Sequence, residues 1–92
     1  MYKIYIAYCT KHYDDGRTEP DGISISTDMD KLKGHIRRNE QKRFEDMYWR
    51  HDKPRVTLCD RATFDLIMDR MIRGTDVAMF PQRDLDKLKF FY

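Results

Sequence analysis

The chain has 92 residues, 37% of them charged, 40% hydrophobic and 13% aromatic, with a formal net charge of +2 at pH 7. That length suits one domain with a small core, and the mixed charge signs with abundant Tyr and Ile argue against a disordered chain. No apolar run approaches the roughly 20 residues of a membrane-spanning helix, and the first apolar run is short and carries Lys3, so neither a transmembrane span nor a signal peptide is expected.

The first predicted element is a strand. In YKIYIAYC, Ile4, Ile6 and Tyr8 share one face, while Lys3, Tyr5, Ala7 and Cys9 share the other. TKHYDDGRTEPDG then reads as a turn-rich connection, with Asp15-Gly16 and Pro20-Asp21-Gly22 as its turn signals. Residues 23–26, ISIS, alternate again, so the two strands should form an antiparallel hairpin with a long loop. Thr27 and Asp30 resemble a capping box, and Asp28 and Asp30 suit the positive end of a helix. A helix is expected from about Asp28 to about Arg50, where His51-Asp52-Lys53-Pro54 stops it. Gly34 inside it costs about 1 kcal/mol relative to Ala and marks a place for a kink or break.

Residues 55–59, RVTLC, read as a third strand. Asp60 then caps a second helix, RATFDLIMDRMIR, with Phe64, Ile67, Met68 and Met71 as its apolar stripe and Gly74 beyond its end. DVAMF, residues 76–80, reads as a fourth strand ended by Pro81. The tail RDLDKLKFFY is read either as a short helix with Leu85 and Leu88 inward or as the approach to a terminal strand. The expected fold is a single α+β domain over residues 1–92. It has an antiparallel sheet of three to four strands and two main helices, mostly on one face, in the order ββαβαβ.

Charge is unevenly distributed. Residues 31–55 hold nine Lys or Arg against four acids, a net of +5, while the remainder carries a net of −3. Such asymmetry steers an acidic or polyanionic partner. At about 100° per residue, Met29, Leu32 and Met47 fall within about 40° of Ile36 and form the inward stripe of the first helix. Glu40 and Arg43 interrupt it, either as an i,i+3 pair or because the helix leaves the body there. On the opposite face, Lys31, His35, Arg38, Lys42 and Trp49 form a row, flanked by Arg37 and Arg50. The ordinary reading of such a row is a solvated face. The functional reading is a partner-binding surface: lysines and arginines contact phosphates, and a tryptophan beside them stacks on a base or anchors a protein interface.

Catalytic constellations are weaker. Cys9 and His12 lie close in sequence, followed by Asp14 and Asp15, but a strand end running into a loop places such residues together by chance. His12, His35 and His51 and the two cysteines, Cys9 and Cys59, lack metal-ligand spacing, so no metal or other cofactor is expected and the thiols read as free, as in a reduced cytoplasm. No glycine-rich phosphate loop occurs. A metal-dependent nuclease using Asp14, Asp15, Glu19 or Asp21 with Lys11 is a third alternative.

The hairpin, the Ser-Thr-Asp cap and the highly charged helix together resemble the general organisation of small phage-encoded proteins that block host machinery, anti-CRISPR proteins among them; no specific family motif carries this resemblance. It implies a non-enzymatic inhibitor acting in the host cytoplasm. Such an inhibitor would dock its basic, Trp-bearing helix onto a host protein or protein–RNA complex, with direct nucleic-acid contact as one mode. The alternative is an autonomous RNA- or DNA-binding domain.

Overall fold

The computed structural model describes residues 1–91. In chain order its elements are β1 (Tyr2–Tyr13), β2 (Thr18–Ser26), α1 (Met29–Gln41), β3 (Arg43–Phe44), β4 (Met47–His51), β5 (Arg55–Cys59), α2 (Arg61–Arg70), β6 (Met71–Ile72), β7 (Val77–Phe80), a 3-10 helix (Gln82–Lys87) and β8 (Phe90–Phe91). The α+β class stands, but the sheet is larger than expected, with eight antiparallel strands among the described residues.

Strand β1 organises this sheet. One edge pairs with β2, placing Ile6 opposite Ile25 and Lys11 opposite Glu19. The other edge is shared: Tyr2 to Ile6 pair with β5, and Cys9 to Tyr13 pair with β4. Between those partners the chain turns a corner that is pinned to β1. The Asp52 carboxylate accepts the Tyr8 N–H at 2.7 Å, and the Asp52 N–H donates to the Tyr8 carbonyl at 2.9 Å. β7 pairs with β2, β6 with β7, β3 with β4, and β8 with β5.

Two segments account for the extra strands. The expected long loop over residues 10–22 is mostly strand, because Thr10, His12 and Tyr13 continue β1 and only residues 14–17 turn. Gly16 supplies the positive φ of 92°. Pro20 sits opposite Thr10 at a register shift, where its missing N–H interrupts the ladder least. The second segment is the expected C-terminal half of the first helix. Helix α1 stops at Gln41, Lys42 is extended, and β3 and β4 form a hairpin across Glu45-Asp46. Met47, Tyr48 and Trp49 form a β-prone run, and the free edge of β1 gives them hydrogen-bonding partners that a helix would forgo. Gly34 does not break α1. A Cβ there would lie 3.3 Å from the Arg38 guanidinium, which folds back over it.

The helices cover both faces of the sheet, not mainly one. Ile4, Ile6, Ile23, Ile25, Ala78 and Phe80 pack with Ile67 of α2 on one face, joined by Leu85 of the 3-10 helix and Leu88 just after it. Ala7 and Val77, one position out of phase, pack with Leu32 and Ile36 of α1 on the other. Both layers follow from the alternation already visible in β1. Burial of each such Ile or Leu stabilises the fold by about 1.5–3 kcal/mol.

Local signals were placed within a residue or two. The N-cap of α1 is Asp28, not Thr27; its carboxylate accepts the N–H groups of Asp30 and Lys31 at 2.9 and 3.2 Å. Asp60 caps α2 through the Thr63 N–H at 2.8 Å. Helix α2 ends at Arg70, earlier than expected, so Met71 reaches the core from a strand, and Met68 is 46% exposed rather than part of the buried stripe. Both readings of the tail hold in sequence, a 3-10 helix and then a strand; its last residue, Tyr92, lies outside the described residues.

Candidate binding cleft

Trp49 is not on the first helix. It lies on β4 directly opposite Lys11, and strand alternation sends it to the α1 side of the sheet with His51 and Cys9. The expected row of Lys31, His35, Arg38, Lys42 and Trp49 therefore does not exist as one face. Lys31 sits at the start of α1 and is ion-paired with Asp76. His35 is buried, with 7% exposure, because Ala7, Ser24 and Ser26 are small and let α1 approach the sheet closely enough to enclose the ring. Arg37 and Arg38 are exposed and make no ion pair among the described residues; the same holds for Lys42, just beyond the helix end. Arg50 alternates to the opposite face of the sheet, where its guanidinium lies 4.8 Å from the Tyr48 ring, with Arg43 at 4.9 Å and His12 stacked on that ring at 5.1 Å.

What the fold brings together is a cleft of about 500 Å³ between the end of α1, the β3–β4 hairpin and the β2–β7 pair. Lys42 and Trp49 line it, with Phe44, Met79 and Phe80 as its apolar walls. The Trp49 indole N–H donates to Asp21 Oδ2 at 2.7 Å, a bond from β4 to β2 that spans β1. Phe44, 58% exposed, meets the indole edge-on, with centroids 5.4 Å apart. Cys9, Asp21, Ser24, Asn39, Lys42 and His51 supply the polar atoms of the lining.

Behind the lining sits a small polar network. His35 Nε2 is 2.7 Å from Asn39 Nδ2 and 3.2 Å from Ser24 Oγ. With the amide in this orientation the ring nitrogen accepts, which requires a neutral imidazole. Burial pushes the His35 pKa down to about 4, and the neighbouring His51, Arg38 and Lys42 push the same way. Burial also lowers that of His51, against the opposing pull of Glu40. Glu40 accepts the His51 backbone N–H at 2.8 Å. Its carboxylate also lies 3.5 Å from His51 Nδ1, within ion-pair range, yet that buried nitrogen makes no hydrogen bond. The expected choice for Glu40, an i,i+3 pair with Arg43 or a departure of the chain, resolves to the second: the helix has ended, and Arg43 faces Asp14 at 4.0 Å.

The sequence-level catalytic groupings do not assemble. Cys9 and His12 project from opposite faces of β1. Burial, with the charges of Asp21 and Glu40, pushes the Cys9 thiol up to about 11, so it carries its proton at neutral pH. Of the nuclease candidates, Asp15 pairs with Arg17, Glu19 accepts the Tyr13 hydroxyl at 2.8 Å, and Asp21 holds Trp49. Among the described residues no three His, Cys, Asp or Glu side chains converge as metal ligands would, and no helix is long and apolar enough to cross a membrane. The cleft residues Cys9, Asp21, Ser24, Asn39 and His51 were not anticipated as a group. The signal available for them was the alternation Met47-Trp49-His51, which matches Cys9-Lys11-Tyr13 once both are read as strands.

Comparison with protein-family models, curated proteins and solved structures finds no match to this chain.

Proposed function

We propose that this chain is a non-enzymatic binding protein that docks onto a nucleoprotein assembly through the C-terminal end of α1 and the β3–β4 hairpin. The observation that carries this reading is a cleft walled by Trp49 and an exposed Phe44 with Lys42 in its lining, beside a helix that carries two more exposed cations without ion pairs among the described residues, Arg37 and Arg38, over its Gly34 side. Aromatic and Arg side chains concentrate binding energy at interfaces, and unpaired cations contact phosphates. A protonated Cys9 and neutral, hydrogen-bonded His35 favour binding over nucleophilic chemistry. In this reading the protein acts in a host cytoplasm as an inhibitor, in the manner of the phage-encoded proteins, anti-CRISPR proteins among them, whose general organisation it resembles. The docking element is the helix end with the adjoining hairpin, in place of one long Trp-bearing helix.

The test is affinity capture from the cell that carries the protein, with the captured material analysed for protein and nucleic acid. Wild type is expected to retain a complex containing both. The double variant Arg38→Glu with Lys42→Glu, at two exposed positions, is expected to lose it while keeping its circular dichroism spectrum. Equal capture by that variant, or a wild type that retains nothing, overturns the reading.

A further inference from the structure

We infer that the cleft receives one unstacked base of a single-stranded nucleic acid, with Lys42 placed on the phosphate beside it. This rests on the docking reading above and names the ligand at its centre.

The cleft's size falls within the range of roughly 300–1,000 Å³ that encloses small ligands. Its walls are aromatic and apolar. Phe44 and Trp49 meet edge-on, and the bond from the indole N–H to Asp21 locks the Trp49 ring in one orientation across β1. Such walls suit a flat ring. The polar groups are few and mixed: Asn39 and Ser24 are neutral, and the His51 side chain is 2% exposed, with its Nδ1 3.5 Å from the Glu40 carboxylate.

Charge decides the class of ring. One acid, Asp21, and one base, Lys42, line the cleft, so their charges offset and no net charge selects an isolated cation or anion. A neutral heterocycle with donors and acceptors on its edge suits the neutral polar groups of the lining. The cations beside the apolar walls are Lys42, exposed and without an ion pair among the described residues, and Lys11, opposite Trp49 on the neighbouring strand. A neutral flat head on an anionic backbone is the chemistry of a nucleotide unit in a strand. Stacking on aromatic side chains tolerates any base, while a duplex keeps its bases inside and presents only phosphate.

The experiment uses the intrinsic fluorescence of Trp49, the single tryptophan, with the wild-type chain at low salt. The probes are a ten-nucleotide single-stranded homopolymer, an abasic strand of the same length, the matching duplex and the mononucleotide. The homopolymer is expected to quench Trp49 and to bind about ten-fold or more tightly than the abasic strand. Phe44→Ala, at an exposed position, is expected to remove most of that difference without weakening the abasic strand. Lys42→Glu is expected to weaken both. Equal affinity for the base-bearing and abasic strands, without quenching, overturns the base pocket. If cellular capture then still depends on Arg38 and Lys42, the docking reading survives and a protein component occupies the cleft. A mononucleotide that binds as tightly as the strand overturns the strand assignment.

Discussion

Acid should weaken this fold through His35, by an amount that can be worked out in advance. The ring lies between α1 and the sheet, faced by Ser24, Asn39, the His51 ring at 6.4 Å, Arg38 and Lys42. Its pKa falls from the ordinary value of 6.5 to about 4 in the folded chain. Above pH 6.5 the ring is neutral in both states and contributes nothing to the pH dependence. Below 6.5 the unfolded chain takes up a proton that the folded chain refuses, so stability is lost until the folded ring also protonates near pH 4. At a limiting 1.36 kcal/mol per pH unit, His35 alone removes about 2 kcal/mol between pH 7 and pH 4.5. That is a large share of the roughly 5–15 kcal/mol that holds a small domain together. His51, also displaced downward, adds in the same direction. Urea denaturation at pH 7, 5.5 and 4.5 measures the loss for wild type and for His35→Gln, which retains a polar side chain but does not titrate. The variant should lose less than wild type over that window, by about 2 kcal/mol. Equal losses in the two proteins would refute the assignment of the acid sensitivity to this ring.

Other expectations test the same packing. Gly22 has φ of +96°, and a Cβ there would lie 2.1 Å from the Phe80 carbonyl oxygen, so Gly22→Ala should cost about 2 kcal/mol or more in denaturant unfolding; a cost below about 0.5 kcal/mol would show that β2 and β7 separate easily. Cys9, pushed up from 9.0 to about 11, should react with a disulfide reagent at pH 8 at least about ten-fold more slowly than a free thiol, the smaller thiolate fraction outweighing the greater nucleophilicity of each thiolate; a rate near that of free cysteine would place it in an open, solvated site. Asp60→Ala removes the bond to the Thr63 N–H and should cost about 1 kcal/mol, read as a lower urea midpoint with an unchanged slope.

Much of the frame was readable from local chemistry. The alternation in β1, both aspartate caps, the strand ended by Pro81 and the α+β class all express short-range preferences that the fold left in place. The errors share one cause. Residues 10–13, 18–22 and 43–51 carry mixed signals, and their state is decided by edges available elsewhere in the chain. Trp49 is the clearest instance. In isolation Arg43-to-His51 continues a helical pattern, but it becomes a hairpin once the second half of β1 offers five residues of pairing. His35 was misplaced for a related reason. At about 100° from Ile36 it lies on the flank of the helical stripe, and only the small residues of β1 and β2 decide that this flank is covered.

The length of β1 also explains why the cleft exists. A strand ending near Cys9, as the loop signals imply, would carry β5 and β2 but leave no edge for β4, and Trp49 would have no fixed position. Extension to Tyr13 gives the β3–β4 hairpin a partner beyond the part of the sheet that α1 covers. The hairpin therefore stands away from the core, and among the described residues it is tied in by Glu40 to His51 and the His35–His51 ring contact from α1, and by Trp49 to Asp21 from β2. Those contacts stand where hydrophobic packing closes the rest of the sheet. They leave an aromatic-walled opening where a fully packed domain would have core. Strengthening the core at this point, by filling the opening with apolar side chains, would stabilise the domain and remove the surface on which docking depends.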